Sequence, residues 1–343
     1  MKARIVAAAL AALLGAAGAA AQAPPPAGQT LNTVRQRGQL VCGVSQGFAG
    51  FSAPDSRGEF RGLDVDYCRA VAAAVLGDPA KTRFVPLTAQ ARFTALQTGE
   101  IDVLFRNSTQ TFLRDTSLGL NQGPVNFYDG QGFAVKRESN VKRVGDLDGA
   151  TVCVAQGTTH ELNLNDTFRA RRLRFQPVVF ERVDTMYDAF FAGRCDAMTQ
   201  DASALAGALT VARDPAAYAV LEETISKEPL GPFTRNGDDQ WSNVVFWVHH
   251  ALVEAEELGV TQANAEERAR GQDATAQRLL GASGEFGARL GLDNRWASNA
   301  IRAVGNYGEV FERNLGEGSP LKLRRGLNGL WSGGGLMYAI PFR

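Results

Sequence analysis

Gln39-Leu40-Val41-Cys42-Gly43-Val44 is a short apolar run of strand type, and a glycine-rich segment from Gly47 to Gly58 follows it. A nearly continuous apolar run bounded by turn residues is the pattern of a strand buried in a parallel sheet. Next comes an alanine-rich helix over 65–76, with Val65, Ala72 and Leu76 on one stripe and Gly77-Asp78-Pro79 as its stop. The alternation continues with a strand over 83–86, a helix over 91–98 and the turn plus strand Gly99-Glu100-Ile101-Asp102-Val103-Leu104-Phe105. Short strands alternating with helices predict an α/β lobe with a mostly parallel sheet.

The same order then begins again. Val144-Gly145-Asp146-Leu147 leads to a strand over 151–155, the loop Gln156-Gly157-Thr158-Thr159 and a helix over 160–170. A strand over 176–181, a helix over 185–192 and Gly193-Arg194-Cys195-Asp196-Ala197-Met198 complete it. Two halves with one order of elements predict two similar lobes facing one cleft. Gly130 to Val135 reads as the first crossing strand and Leu221 to Phe233 as the return, with a helix over 239–257 lying back on the first lobe. The expected division is 31–131 for the first part of lobe one, 132–228 for lobe two, 229–262 for the return to lobe one, and 263–343 for a C-terminal extension. That extension is helical at first and glycine-rich at its end.

Lys2 and Arg4 precede a small-apolar run from Ile5 to Ala21 that closes on Ala19-Ala20-Ala21, the build of a cleaved secretory signal peptide over 1–21. The run is at or below the ~20 residues a bilayer demands, which disfavours a membrane anchor. Without a Cys at its end, lipid attachment is not expected. A mature start near Gln22 and a stiff extended leader over 22–30, carrying Pro24-Pro25-Pro26, follow. Basic and acidic residues balance at 36 each, so the chain carries no charge footprint for nucleic acid or an anionic membrane, and the partner is a small molecule or a protein. Four cysteines in an exported chain are expected to pair. Three connectivities are open, and the sequence-local pairs, Cys42 with Cys68 and Cys153 with Cys195, keep each bridge inside one lobe.

Ligands of open α/β sheets bind beyond the carboxyl ends of the strands. Four polar segments follow strands here: 45–51, 107–114, 156–159 and 200–203. A free amino acid asks for a carboxylate clamp and an ammonium acceptor, and Arg114 and Asp201 offer these from different halves. Spacing alone leaves plainer uses open: for Arg114 a pair with Asp115 or a helix C-terminus, and for Asp201 a helix N-cap. Phe48 and Phe51 fit a core as well as a ligand shelf.

Gly62-Leu63-Asp64-Val65-Asp66-Tyr67, running into an alanine-rich helix, resembles the signature of the family 3 extracellular solute-binding proteins, the amino-acid receptors of ATP-driven importers. Cys42 to Gly47, Arg106-Asn107-Ser108-Thr109, Gln156 to Leu164, Asp201 to Leu205 and Gly237 to Trp241 extend the resemblance over nearly the whole mature chain. It implies a two-lobed, type II periplasmic-binding-protein-like fold with a ligand cleft between the lobes. Position by position, it places Arg114, Thr109 and the Thr158–Thr159 turn on the ligand's α-carboxylate, the last through the Thr159 N–H. It places Asp201 and the Asn107 carbonyl on the α-ammonium, Phe48 against the side chain, and Ser45 and Gln200 as its readers. Gln110 stands where relatives carry an aromatic residue.

The implied function is a periplasmic receptor that binds free, mainly polar L-amino acids and delivers them to an inner-membrane ABC permease, as a monomer without a cofactor or metal. With no further charge assigned beside the ligand side chain, broad binding is expected, unless Arg92 or Arg106 supplies one. The alternative is an exported dehydratase of the same architecture. Against it, His160, His249 and His250 are the only histidines, none at metal-ligand spacing, and neither a phosphate loop nor a G-x-S-x-G elbow is present.

Overall fold

The computed structural model describes residues 29–343. The signal peptide expected over 1–21, and residues 22–28 of the leader, lie outside the described residues.

Helix α1 (Thr30–Arg37) leads into β1 (Leu40–Val44), and a small hairpin of β2 (Ala53–Pro54) and β3 (Phe60–Arg61) precedes α2 (Leu63–Leu76). Then come β4 (Thr82–Pro86), α3 (Arg92–Gln97), β5 (Val103–Thr109), α4 (Phe112–Ser117), β6 (Leu120–Gln122) and β7 (Phe127–Asp129). The second lobe holds β8 (Gln131–Lys136), β9 (Ala150–Ala155), α5 (Thr159–Ala170), β10 (Phe175–Phe180), α6 (Val183–Phe191), β11 (Ala197–Asp201), α7 (Ala202–Thr210) and β12 (Tyr218–Val220). The chain returns through β13 (Glu228–Arg235) to α8 (Asp239–Glu257).

One sheet has the order β4-β1-β5-β13-β6, with β7 also paired to β13, and the other has β10-β9-β11-β8-β12. In each, the strands of the local strand-helix-strand pass are parallel, β1 with β4 and β5, β9 with β10 and β11. The strand that enters from the crossing, β13 or β8, is antiparallel to its neighbours. Every residue of β1 is buried, which is why its sequence does not alternate. Only Gly130 separates β7 in one sheet from β8 in the other. A Cβ there would stand 3.0 Å from the Ser226 carbonyl of the return crossing, so the two connections pass closely and a side chain would need its neighbours to give by a few tenths of an ångström. Disulfides Cys42–Cys68 and Cys153–Cys195 tie β1 to α2 and β9 to the approach to β11, one in each lobe.

Two segments expected as loops are ordered further than their local sequence indicates. Strand β5 runs on to Thr109 because Ser108 and Thr109 pair with Gly231 and Leu230 of β13, and the Thr111 side chain caps α4 immediately afterwards. Strand β11 likewise continues to Asp201 through its pairing with β8, and α7 starts at Ala202. Partners far along the chain supply the hydrogen bonds in both cases, so no local pattern marks them.

Beyond α8, helices α9 (Ala265–Arg270), α10 (Ala274–Leu279), α11 (Phe286–Leu290), α12 (Trp296–Val304) and α13 (Tyr307–Asn314) pack on lobe one, with α12 along α2 and α8 and Trp296, Tyr307 and Phe311 buried. The extension also reaches the crossing. The Asn328 side chain bonds both backbone groups of Tyr128 in β7, at 2.7 and 3.0 Å, and the Tyr307 hydroxyl donates to the Asn126 carbonyl at 3.0 Å. Among the described residues no helix is long and apolar enough to cross a membrane.

Candidate ligand-binding cleft

The carboxyl ends of β5 and β11 face each other from the two sheets and border a narrow cavity of about 20 Å3. Lobe one lines it with Phe48, Arg92, Arg106, Asn107, Thr109 and Arg114, and lobe two with Thr158, Thr159, His160 and Gln200.

Arg114 is carried on α4, directly after the turn that ends β5. One arm of its guanidinium donates to the Thr109 carbonyl at 2.7 Å, and its plane lies over Phe93, 5.1 Å from the ring centre. Burial pulls its pKa down to about 10, so it remains a cation at neutral pH. Among the described residues it forms no ion pair with Asp115, while it does stand in the last turn of α4, the other plain use open to it. Asp201 occupies the N-cap position of α7 yet accepts no N–H from that helix. Its carboxylate faces the His160 Nε2 at 2.9 Å and accepts from the Asn107 side chain of lobe one at 3.0 Å. Burial opposes a charge on His160, but the Asp201 carboxylate outweighs it and holds the imidazole above its ordinary value.

Glu228 opens β13 at the return crossing and is buried. It accepts from Thr109 of lobe one and, on lobe two, from Thr159 and Asn163, each at 2.9 Å, as well as from Ser226 beside it. Among the described residues, His160, Asp201 and Glu228 bring three potential metal-ligating atoms within 4.8 Å of one another. Amide and hydroxyl partners already donate to the carboxylate oxygens of Asp201 and Glu228.

Thr158 caps α5, accepting from the Glu161 N–H, so the Thr159 and His160 N–H groups lie in the first turn, where helix amides have no partner within the helix. Phe48 is buried at the cavity wall with the Arg106 guanidinium above its ring at 5.8 Å, and Phe51 belongs to the core against Phe127. Ser45, expected to read the ligand side chain, and Gln110 are turned elsewhere. The Ser45 hydroxyl is engaged with Ser52 inside its own loop, and the Gln110 amide donates to the Gly123 carbonyl. Arg92 and Arg106 line the cavity. The Arg106 Nε donates to the Leu87 carbonyl at 2.9 Å, and Arg92 reaches the Ala89 carbonyl through one arm.

Four polar atoms around this cavity are buried without a hydrogen-bond partner: Arg92 Nε, Asn107 Oδ1, His160 Nδ1 and Gln200 Nε2. Buried polar atoms are normally satisfied, so their gathering at one place marks a polar binding site.

Residues 40–270 match the family described as bacterial extracellular solute-binding proteins, family 3. The chain belongs to that family. Family members similar along nearly their whole length include the general L-amino acid-binding periplasmic protein AapJ of Rhizobium johnstonii, 51% identical over 97% of this chain and 98% of that one. The glutamate/glutamine/aspartate/asparagine-binding protein BztA of Rhodobacter capsulatus is 52% identical over 92% of this chain and 93% of its own. A solved structure of an ABC transporter periplasmic binding protein from Brucella ovis with glutathione bound superposes with a TM-score of 0.90, at 51% identity over 92% of this chain and 99% of that one. The two-lobed solute-binding fold expected from the sequence is therefore the fold of this chain.

The sequence does not single out His160 in the cleft wall or Glu228 beside it, whereas Arg92 and Arg106, named from the sequence as an alternative source of charge, do line the cavity. His160 was visible as the first residues of α5 were, since its neighbour Thr159 was already expected there. Glu228 carried no signal, because only the return of β13 sets it against Thr109.

Proposed function

We propose that the protein is the periplasmic receptor of an ABC-type importer and closes its lobes on a free L-amino acid. The observation that carries this reading is the gathering of unpartnered polar atoms between an arginine on one side and a carboxylate on the other. Arg114 and the Thr159 N–H take the α-carboxylate. The single Thr109 hydroxyl proton points to Glu228, so Thr109 serves through its neighbours rather than as a donor. Asp201 and Asn107 take the α-ammonium, Phe48 supplies an apolar shelf, and Gln200 and Arg92 read the side chain. Ser45 and Gln110 have no part in this arrangement.

With Arg92 beside the cavity, side chains ending in a carboxylate or amide gain a partner, so glutamate, glutamine, aspartate and asparagine are the preferred ligands. The name of the Rhodobacter relative supports this preference. Contacts from both lobes make the ligand bind the closed form more tightly, the condition for ligand-driven closure and for productive engagement of the permease. The names of the relatives, all binding proteins, favour a receptor over the dehydratase alternative. Competition binding across the twenty amino acids tests the reading: it expects several polar L-amino acids to compete and D-isomers to fail. Turnover of prephenate or arogenate would replace it with the enzyme.

A further inference from the structure

We infer that Asp64 is a positioning residue of the cleft, whose buried carboxylate holds the bulged end of β5 so that Asn107 faces the ligand. The inference rests on the amino-acid-binding reading above.

Asp64 lies in the first turn of α2, where an acidic side chain ordinarily serves its own helix. Here it is 2% exposed, and its Oδ2 accepts the backbone N–H of Asn107, forty-three positions away, at 2.9 Å. Asn107 has φ of 31°, in the left-handed region that a non-glycine residue holds only when its surroundings impose it. The register shows what is imposed. Leu104 pairs with Phe233 and Ser108 with Gly231, so residues 105–107 of β5 stand opposite residue 232 alone. A bulge of this kind bends a strand and re-aims a side chain, and it leaves backbone groups outside the ladder. The Asn107 N–H is such a group, and Asp64 is its acceptor.

The re-aimed side chain reaches Asp201 through Nδ2 at 3.0 Å, while its Oδ1 is one of the unpartnered buried atoms at the cavity. Asp64 is itself fixed. Its N–H donates to the Phe51 carbonyl at 3.0 Å, and at Gly62, with φ of 132°, any Cβ would stand 2.1 Å from that same carbonyl oxygen. The Gly62-Leu63-Asp64 start of α2 therefore sets one carboxylate against one bulge.

The test combines affinity for L-glutamine by calorimetry with hydrogen exchange of the unliganded protein over residues 104–109. Asp64→Ala should raise the Kd at least tenfold and speed exchange in that segment, whereas Asp64→Asn, which keeps an acceptor oxygen, should stay within about threefold and retain protection. Asp64→Leu, close in volume and without an acceptor, replaces Asp64→Ala should the latter not fold. If Asp64 acts through Asn107, Asp64→Ala combined with Asn107→Ala should bind no worse than the weaker single variant. Wild-type affinity in Asp64→Ala, losses that multiply in the double variant, or unchanged exchange would each overturn the assignment. Should the wild-type protein bind none of the twenty amino acids, the functional reading fails instead, and the exchange comparison still decides the role of Asp64.

Discussion

The hydroxyl oxygens of Thr109 and Thr159 stand 3.4 Å apart across the cleft, one on each lobe, and both donate to the hinge carboxylate of Glu228. The lobes are thus joined by protein groups as well as by any ligand. Replacing Glu228 with Gln keeps the volume but offers a neutral oxygen and two new donors to groups that already donate. Hydrogen bonds to a charged group contribute about 1.5–3 kcal/mol each. Glu228→Gln should therefore weaken L-glutamine binding about tenfold or more and increase the radius of gyration of the unliganded protein by small-angle scattering. An unchanged radius with unchanged affinity would contradict a joining role for Glu228.

Arg114→Lys should be nearly as harmful to binding as Arg114→Ala, because a point charge cannot reproduce the flat fork that here also rests on Phe93 and the Thr109 carbonyl. Titration calorimetry giving near-native affinity for the Lys variant would remove Arg114 from the carboxylate site.

Each disulfide closes a loop within one lobe, spanning 26 positions for Cys42–Cys68 and 42 for Cys153–Cys195. Replacing both cysteines of either pair by Ala should lower the unfolding free energy by about 2–5 kcal/mol, read from urea transitions. A transition unmoved by the loss of either pair would show that the bridges contribute nothing to stability.

Burial pushes the Asp64 carboxyl up to about 7, from 3.8. A carboxyl with a raised folded-state pKa favours folding while it is protonated, and this contribution is lost as pH rises from about 4 to about 7. Asp64→Asn does not titrate. Its melting temperature should match the wild type near pH 4, rise above it through neutrality and keep a constant lead beyond pH 7. A lead that narrows with rising pH would contradict the burial of an ionisable Asp64.

The parts of the fold legible in the sequence are those with local causes. Strand β1 announces itself as an apolar run and α2 by its alanines and glycine stop. Arg114, Asp201 and Thr159 were legible because they follow strands, where a parallel sheet opens its cleft. The use of Asp201 was not, since N-cap and ligand residue look alike until His160 and Asn107 arrive from 41 and 94 positions away. Ser45 and Gln110 show the converse. Both lie in the polar segments that border the cleft, but backbone and hydroxyl partners close to them in space claim their side chains.

The central claim is that the cleft recognises the α-carboxylate and α-ammonium that every free amino acid carries. Titration calorimetry comparing L-glutamine with N-acetyl-L-glutamine tests it most directly, since acetylation removes the ammonium charge facing Asp201 and leaves the side chain intact. The arrangement predicts binding of L-glutamine and at least a hundredfold weaker binding of the acetylated form, a difference of about 2.7 kcal/mol. Equal affinity for the two, or no binding of either, would contradict it.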